Sequence, residues 1–68
     1  MSEAEAKGLM IAGCQIVYDG ITYRRIQSVQ LTYIRRDHKM VILLVLEDMR
    51  ANAVVVAPSS KCVPILLN

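Results

Sequence analysis

The 68-residue sequence contains no tryptophan and no phenylalanine, and apart from one histidine its aromatic side chains are three tyrosines. A groove of clustered aromatic side chains, the feature that grips polyproline segments, is therefore excluded. Glycine is equally scarce, and the three glycines are scattered at Gly8, Gly13 and Gly20. A glycine-rich loop that surrounds a phosphate group is therefore excluded as well.

Metal-ligating residues are also few, with two cysteines and one histidine in the whole chain. Cys14 and Cys62 lie far apart in the sequence and belong to no Cys-x-x-Cys or Cys-x-x-His motif. Because a structural zinc site needs about four such ligands, we predict neither a metal site nor a cofactor. No secretory segment is recognisable, so we expect a cytoplasmic protein in which both cysteines are reduced and buried.

No apolar run approaches the ~18 residues needed to cross a bilayer, so the sequence predicts no membrane association. The composition is 54% hydrophobic with a net charge of +2, which indicates a folded chain rather than a disordered one. A chain this short holds one domain, whose core provides only a few kcal/mol of stability unless an oligomer adds burial.

The sequence shows no arrangement typical of an enzyme. His38 lies between Asp37 and Lys39 in a predicted loop, whereas a catalytic base needs a nucleophile and an orienting partner in a cleft. Ser60 and Lys61 are neighbours in a predicted tight turn, and a lysine base requires a buried environment. We interpret these side chains as solvated turn residues and predict a non-catalytic protein.

The strongest local signal is a β-hairpin around Asp19-Gly20. Asp-Gly is a preferred two-residue hairpin turn, because both of its residues adopt positive φ angles. The β-rich segments on either side would pair Tyr18 with Ile21 and Ile16 with Tyr23. Opposite residues share a face of the sheet, so we predict that these four side chains lie in the core.

A second hairpin is predicted over residues 29–46, with a polar turn around Asp37-His38. One of its faces would carry Val29, Leu31, Tyr33, Ile42, Leu44 and Leu46. The other face would carry Gln30, Thr32, Ile34, Val41, Leu43 and Val45. A longer loop would shift the register by one residue and exchange the two faces. Between the hairpins, residues 26–28 break the alternation and predict a bulge.

The last part of the chain indicates a strand, a single tight or 3₁₀ turn and a short final strand. Its residues are Ala53-Val54-Val55-Val56-Ala57-Pro58-Ser59-Ser60-Lys61-Cys62-Val63-Pro64-Ile65. The segment resembles the closing part of SH3-like barrels, where a Pro-Ser pair often opens the turn. The sequence pattern predicts no helix of normal length, and the resemblance together with the strand count implies an all-β fold. We therefore expect a five-stranded SH3-like barrel over residues 9–68, with a 3₁₀ connection before its last strand, preceded by a flexible tail over residues 1–8.

The basic residues are concentrated in the middle of the chain, where Arg24, Arg35, Arg36 and Lys39 lie within sixteen residues. Two tyrosines lie next to them, and arginine beside tyrosine is typical of surfaces that bind single-stranded nucleic acid. Both tyrosines, however, belong to faces that we assign to the core. Weak nucleic-acid binding through these four basic side chains is therefore the alternative function.

The run Met40–Leu46 consists of seven apolar residues, so this strand is apolar on both faces. Only one face of a strand in so small a barrel points inward. The other face, with Ile34, Val41, Leu43 and Val45, remains an exposed apolar patch unless another part of the chain covers it. The segments that could do so are Leu9-Met10-Ile11, Leu66-Leu67 or a neighbouring strand. We therefore predict a module that forms a homo-oligomer, such as a dimer, or binds an unidentified protein through this patch.

Overall fold

Residues 1–66 are described by a computed structural model, and within them the chain forms one helix, six strands and a single-turn 3₁₀ helix. In chain order these elements are α1 (Glu3–Ala12), β1 (Ile16–Tyr18), β2 (Ile21–Tyr23), β3 (Arg25–Ile34), β4 (Lys39–Glu47), β5 (Val54–Pro58), the 3₁₀ helix η1 (Ser59–Lys61) and β6 (Cys62–Pro64). Leu67 and Asn68, the last two residues of the expected domain, lie outside the described residues.

Helix α1 begins inside the segment that was expected to be a tail, and the prediction of a chain without a helix is wrong. Ser2 and Glu5 form a capping box, in which the Ser2 Oγ accepts a hydrogen bond from the Glu5 backbone N–H at 3.1 Å and the Glu5 carboxylate accepts one from the Ser2 N–H. The helix ends at Gly13, whose φ of 70° is a left-handed conformation that favours glycine. Ala6 is completely buried, so packing stabilises the helix further.

The first predicted hairpin is confirmed together with its register. β1 and β2 pair Ile16 with Tyr23 and Tyr18 with Ile21, and the Asp-Gly turn has φ angles of 52° and 74°. Ile16 and Tyr23 are buried as expected. Ile21 is exposed instead of lying in the core, because it directly follows the turn at the tip of the hairpin.

The two short strands of this hairpin belong to a three-stranded sheet in the order β2-β1-β6, which we call the first sheet. β6 pairs with the side of β1 that β2 leaves free. Pro64 lies in β6 at the edge of the sheet, a position that suits proline because it has no N–H to donate to a further strand.

The second sheet consists of β3, β4 and β5 in that order. A turn centred on Asp37-His38, as the sequence predicts, would place Val29 opposite Leu46. A loop of four residues, Arg35–His38, connects β3 to β4 instead, and Val29 lies opposite Leu44. A shift of two positions leaves every side chain on its predicted face, because side chains alternate along a strand with a period of two. The predicted irregularity between the hairpins is present as a register shift within residues 26–28.

The two sheets do not close into a barrel, so the prediction of a five-stranded SH3-like barrel is wrong. The strand, 3₁₀ turn and strand that carried the resemblance are present as β5, η1 and β6, but β5 pairs with β4 whereas β6 pairs with β1. Each strand of the first sheet has three residues, which is too short to wrap around and join an edge of the second sheet. The helix packs on the core through Ala6, with Leu9 and Met10 partly buried against it.

The core lies between the two sheets and is completed by α1. Its buried members are Ala6 from the helix, Ile16, Tyr23 and Cys62 from the first sheet, and Ile26, Leu44, Leu46 and Ala57 from the second sheet. We call the face of the second sheet that carries Leu44 the inner face and the opposite one the outer face. The helix and the first sheet both pack against the inner face.

Candidate functional site

The outer face of the second sheet carries all four residues that the sequence assigned to an interface. They are Ile34 on β3 and Val41, Leu43 and Val45 on β4. Ile34, Val41 and Leu43 are half-buried, and Val45 is 8% exposed although it does not belong to the core cluster.

Two valines of β5 extend this apolar surface. Val56 pairs with Val45 and Val54 pairs with Glu47, so both valines lie on the outer face. They are 54% and 51% exposed, which makes them the most accessible apolar side chains of the patch. Sequence reasoning did not include them, because the side of β5 that faces outward depends on its pairing with β4. We call these six residues, Ile34, Val41, Leu43, Val45, Val54 and Val56, the outer patch.

The charged residues of the outer face lie at the ends of β4 and leave the outer patch uncharged. Arg25 and Glu47 form an ion pair at one end, with 3.2 Å between the Arg25 Nε and a carboxylate oxygen of Glu47. Lys39 begins β4 at the other end. The patch is therefore an apolar surface with charges at its rim, the usual composition of a protein interface.

The structure separates the four basic residues that the sequence grouped together. Arg35 and Arg36 lie in the loop between β3 and β4, and Lys39 directly follows this loop. Arg24 precedes β3, at the opposite end of a ten-residue strand. At about 3.3 Å per residue, Arg24 lies roughly 30 Å from the loop. We call Arg35, Arg36 and Lys39 the basic tip.

Tyr33 lies beside the basic tip and is 57% exposed, so the prediction that it belongs to the core is wrong. It occupies the inner face as predicted, but outside the part of that face that forms the core. Its hydroxyl group lies 3.5 Å from the Nδ1 of His38 in the loop. Tyr23, by contrast, is buried in the core and presents no ring surface to a ligand.

Ser59 and Ser60 lie in η1, whereas His38 lies in the loop between β3 and β4. The buried Ser59 donates a hydrogen bond from its Oγ to the Met1 carbonyl oxygen at 3.3 Å, which ties η1 to the start of the chain. Ser60, Lys61 and His38 are exposed. Within residues 1–66, no three histidine, cysteine, aspartate or glutamate side chains lie close enough together to hold a metal ion.

Both cysteines are free thiols. Cys62 is buried in the core, and its Sγ donates to the Pro58 carbonyl oxygen at 3.3 Å. Burial raises the pKa of the Cys62 thiol, and the positive amino group of Met1 offsets part of this rise. A thiol that resists ionisation is a poor nucleophile, so Cys62 has the properties of a packing residue.

Comparisons of the chain with models of known protein families, with curated proteins and with solved structures give no significant match. No family or relative therefore assigns a role to any of these residues. In the part of the chain that the structure describes, no helix is both long and apolar enough to cross a membrane.

Proposed function

We propose that the protein is a small non-catalytic interaction module that associates with a second copy of itself through the outer patch. The observation that carries this proposal is the position of six apolar side chains on one face of a sheet whose other face holds the core. Apolar residues on both faces of one sheet are expected when both faces are covered.

Covering the outer patch would add appreciable stability to a chain of this size. Complete burial of one valine, leucine or isoleucine contributes about 1.5–3 kcal/mol, and Val54 and Val56 still expose half of their surface. Stabilities of about 0.05–0.15 kcal/mol per residue correspond to roughly 3–10 kcal/mol for the whole chain. Even partial burial of several patch residues is therefore a large gain.

A second copy is the partner that this surface fits best. The outer patch contains no charged residue, so two copies can meet about a two-fold axis without bringing like charges together at the centre. Lys39, Arg25 and Glu47 then lie at the rim, where they remain solvated. Two sheets that pack face to face in this way form a sandwich.

Replacing Leu43 with lysine tests this proposal. Leu43 lies in the middle of the outer patch, and a buried lysine without a partner opposes association. We expect the wild-type protein to sediment as a dimer and Leu43→Lys as a monomer at the same concentration. Circular dichroism should show that the variant keeps its β-sheet signal.

Leu31→Lys is the matched control, because Leu31 lies on the same hairpin but on the inner face and is already 50% exposed. It should remain dimeric. If Leu43→Lys does not fold, Val56→Lys provides the same test at an exposed position. A wild-type protein that stays monomeric at millimolar concentration would contradict the proposal.

A second candidate function is binding of single-stranded nucleic acid at the basic tip. It is supported by the exposure of Tyr33 next to Arg35, Arg36 and Lys39. A base stacked on an accessible aromatic ring contributes about 1–3 kcal/mol, and the cations would contact the phosphates. Arg36 is accessible for this role, because its ion pair with Asp37 is long, at 3.7 Å, and its side chain is 91% exposed.

Titration of labelled single- and double-stranded oligonucleotides, followed by fluorescence anisotropy at low and moderate salt, tests this second function. We expect single strands to bind more tightly, with an affinity that falls steeply as salt rises. Tyr33→Ala and Arg36→Ala should weaken binding, whereas Arg24→Ala, at the other end of β3, should not. Absence of binding at tens of micromolar protein and low salt would exclude the basic tip as a nucleic-acid site.

A further inference from the structure

The first half of β4 has a neighbouring strand on one side only. Residues Lys39–Ile42 pair with β3, but the pairing of β4 with β5 ends where Leu43 meets Pro58. In an antiparallel sheet, alternate residues direct their N–H and C=O groups to opposite sides. Two of these four residues therefore direct backbone hydrogen-bonding groups away from β3, toward an edge without a described strand.

This edge borders a cleft of about 260 Å³, which we call the edge cleft. The cleft is lined by Lys39–Ile42 on one side and by Pro58–Ser60 on the other. The cleft forms because β5 ends at Pro58, where the chain changes direction and continues into η1. Met40 is exposed and Val41 and Ile42 are half-buried, so apolar side chains flank the unpaired backbone.

We propose that the edge cleft binds an extended, acidic peptide segment, which adds to the second sheet as a strand beside Lys39–Ile42. The segment would continue the line of β5 and satisfy the outward-directed backbone groups of β4. Its side chains would point alternately to the two faces of the sheet. In this mode of recognition, main-chain hydrogen bonds provide the affinity and contacts with the flanking side chains provide the specificity.

The charges around the edge cleft favour an acidic segment. Lys39 lines the cleft, and none of the lining residues is acidic. The loop that leads into Lys39 carries Arg35, Arg36 and Asp37, so its net charge is positive. Lys61 ends η1, directly after the lining residue Ser60. A second copy of the protein would bring the same positive charges to the edge cleft and be repelled. We therefore expect the edge cleft and the outer patch to bind different partners.

A fluorescent peptide of alternating glutamate and valine, titrated with the full chain, tests this proposal. We expect saturable binding by anisotropy, together with slower hydrogen exchange of backbone amides within Lys39–Ile42. Reversing the charge with Lys39→Glu should weaken binding about tenfold, because an attractive pair becomes a repulsive one. Arg24→Glu changes the charge equally at the far end of β3 and should leave the affinity unchanged.

Two further measurements separate strand addition from simple charge attraction. A peptide of alternating lysine and valine should bind Lys39→Glu better than it binds the wild-type protein. Methylation of the peptide's backbone nitrogens should abolish binding, because it removes the N–H groups that pair with β4. An affinity that survives methylation, or the absence of exchange protection in Lys39–Ile42, would overturn the proposal.

The edge cleft is tested independently of self-association. Val54→Lys changes the outer patch opposite Glu47, at the end of β4 that is remote from the cleft. This variant should bind the acidic peptide as the wild-type protein does, whether or not the outer patch forms a dimer. Ser60→Tyr should block the cleft, because Ser60 lines it and is exposed. If Ser60→Tyr dissociates the oligomer and no acidic peptide binds, the occupant is a second copy and the proposal is wrong.

Discussion

Leu44→Ala is expected to destabilise the protein by about 2–5 kcal/mol, a large part of the roughly 3–10 kcal/mol available to a chain of this length. Leu44 is completely buried and lies in the middle of the inner face, between Val29 on β3 and Ala57 on β5. Removing its branched end leaves a cavity that neighbours on two flanking strands cannot fill without distorting the sheet. Urea unfolding followed by circular dichroism measures the loss.

Leu31→Ala is the control for this prediction. Leu31 lies on the same face of the same hairpin but is 50% exposed, so its truncation removes less buried surface and leaves no enclosed cavity. We expect Leu31→Ala to lower the free energy of unfolding by less than about 1 kcal/mol. Equal costs for the two substitutions would mean that Leu44 does not lie at the centre of the core.

Ala6→Asp is the second substitution for which we expect a large effect, because it places a charge in the contact between α1 and the core. Ala6 is completely buried, and no basic side chain belongs to the core cluster that surrounds it. An unpaired buried carboxylate costs several kcal/mol, so either the helix detaches or the whole chain unfolds. Far-ultraviolet circular dichroism and thermal unfolding distinguish these two results.

Ala4→Asp is the matched control, since Ala4 lies on the same helix and is exposed. An aspartate in the first turn of a helix interacts favourably with the helix dipole, so this variant should be as stable as the wild-type protein. The stability of Ala6→Asp should recover in part as the pH is lowered, because a protonated carboxyl group is less costly to bury. Equal stability of the two variants at neutral pH would contradict the packing of α1 on the core.

Much of the local structure was predictable from short-range patterns. The Asp-Gly turn determines the register of the first hairpin, because it connects adjacent strands through two residues of positive φ. The two faces of the second hairpin follow from alternation alone. Each side chain lies on its predicted face although the observed register differs from the predicted one by two positions. Ser2, Glu5 and Gly13 also indicate a helix with a cap at each end, a pattern that contradicts a flexible tail over residues 1–8.

The candidate site was predictable in part for the same reason. Ile34, Val41, Leu43 and Val45 share a face because their spacing along adjacent strands requires it. The addition of Val54 and Val56 depends on the pairing of β5 with β4, across a turn whose length does not determine the register. The edge cleft was not predictable at all, since it exists only because β5 stops pairing before β4 ends.

The sequence by itself determined which segments form strands, where the chain turns and which side chains share a face, because these features depend on neighbours a few residues apart. Only the tertiary structure decided that the sheets stay separate, that α1 completes the core and that Tyr23 is buried while Tyr33 is exposed. The same applies to the distance between Arg24 and the basic tip. These outcomes depend on which apolar surfaces cover one another, and such contacts join residues that are distant in the chain.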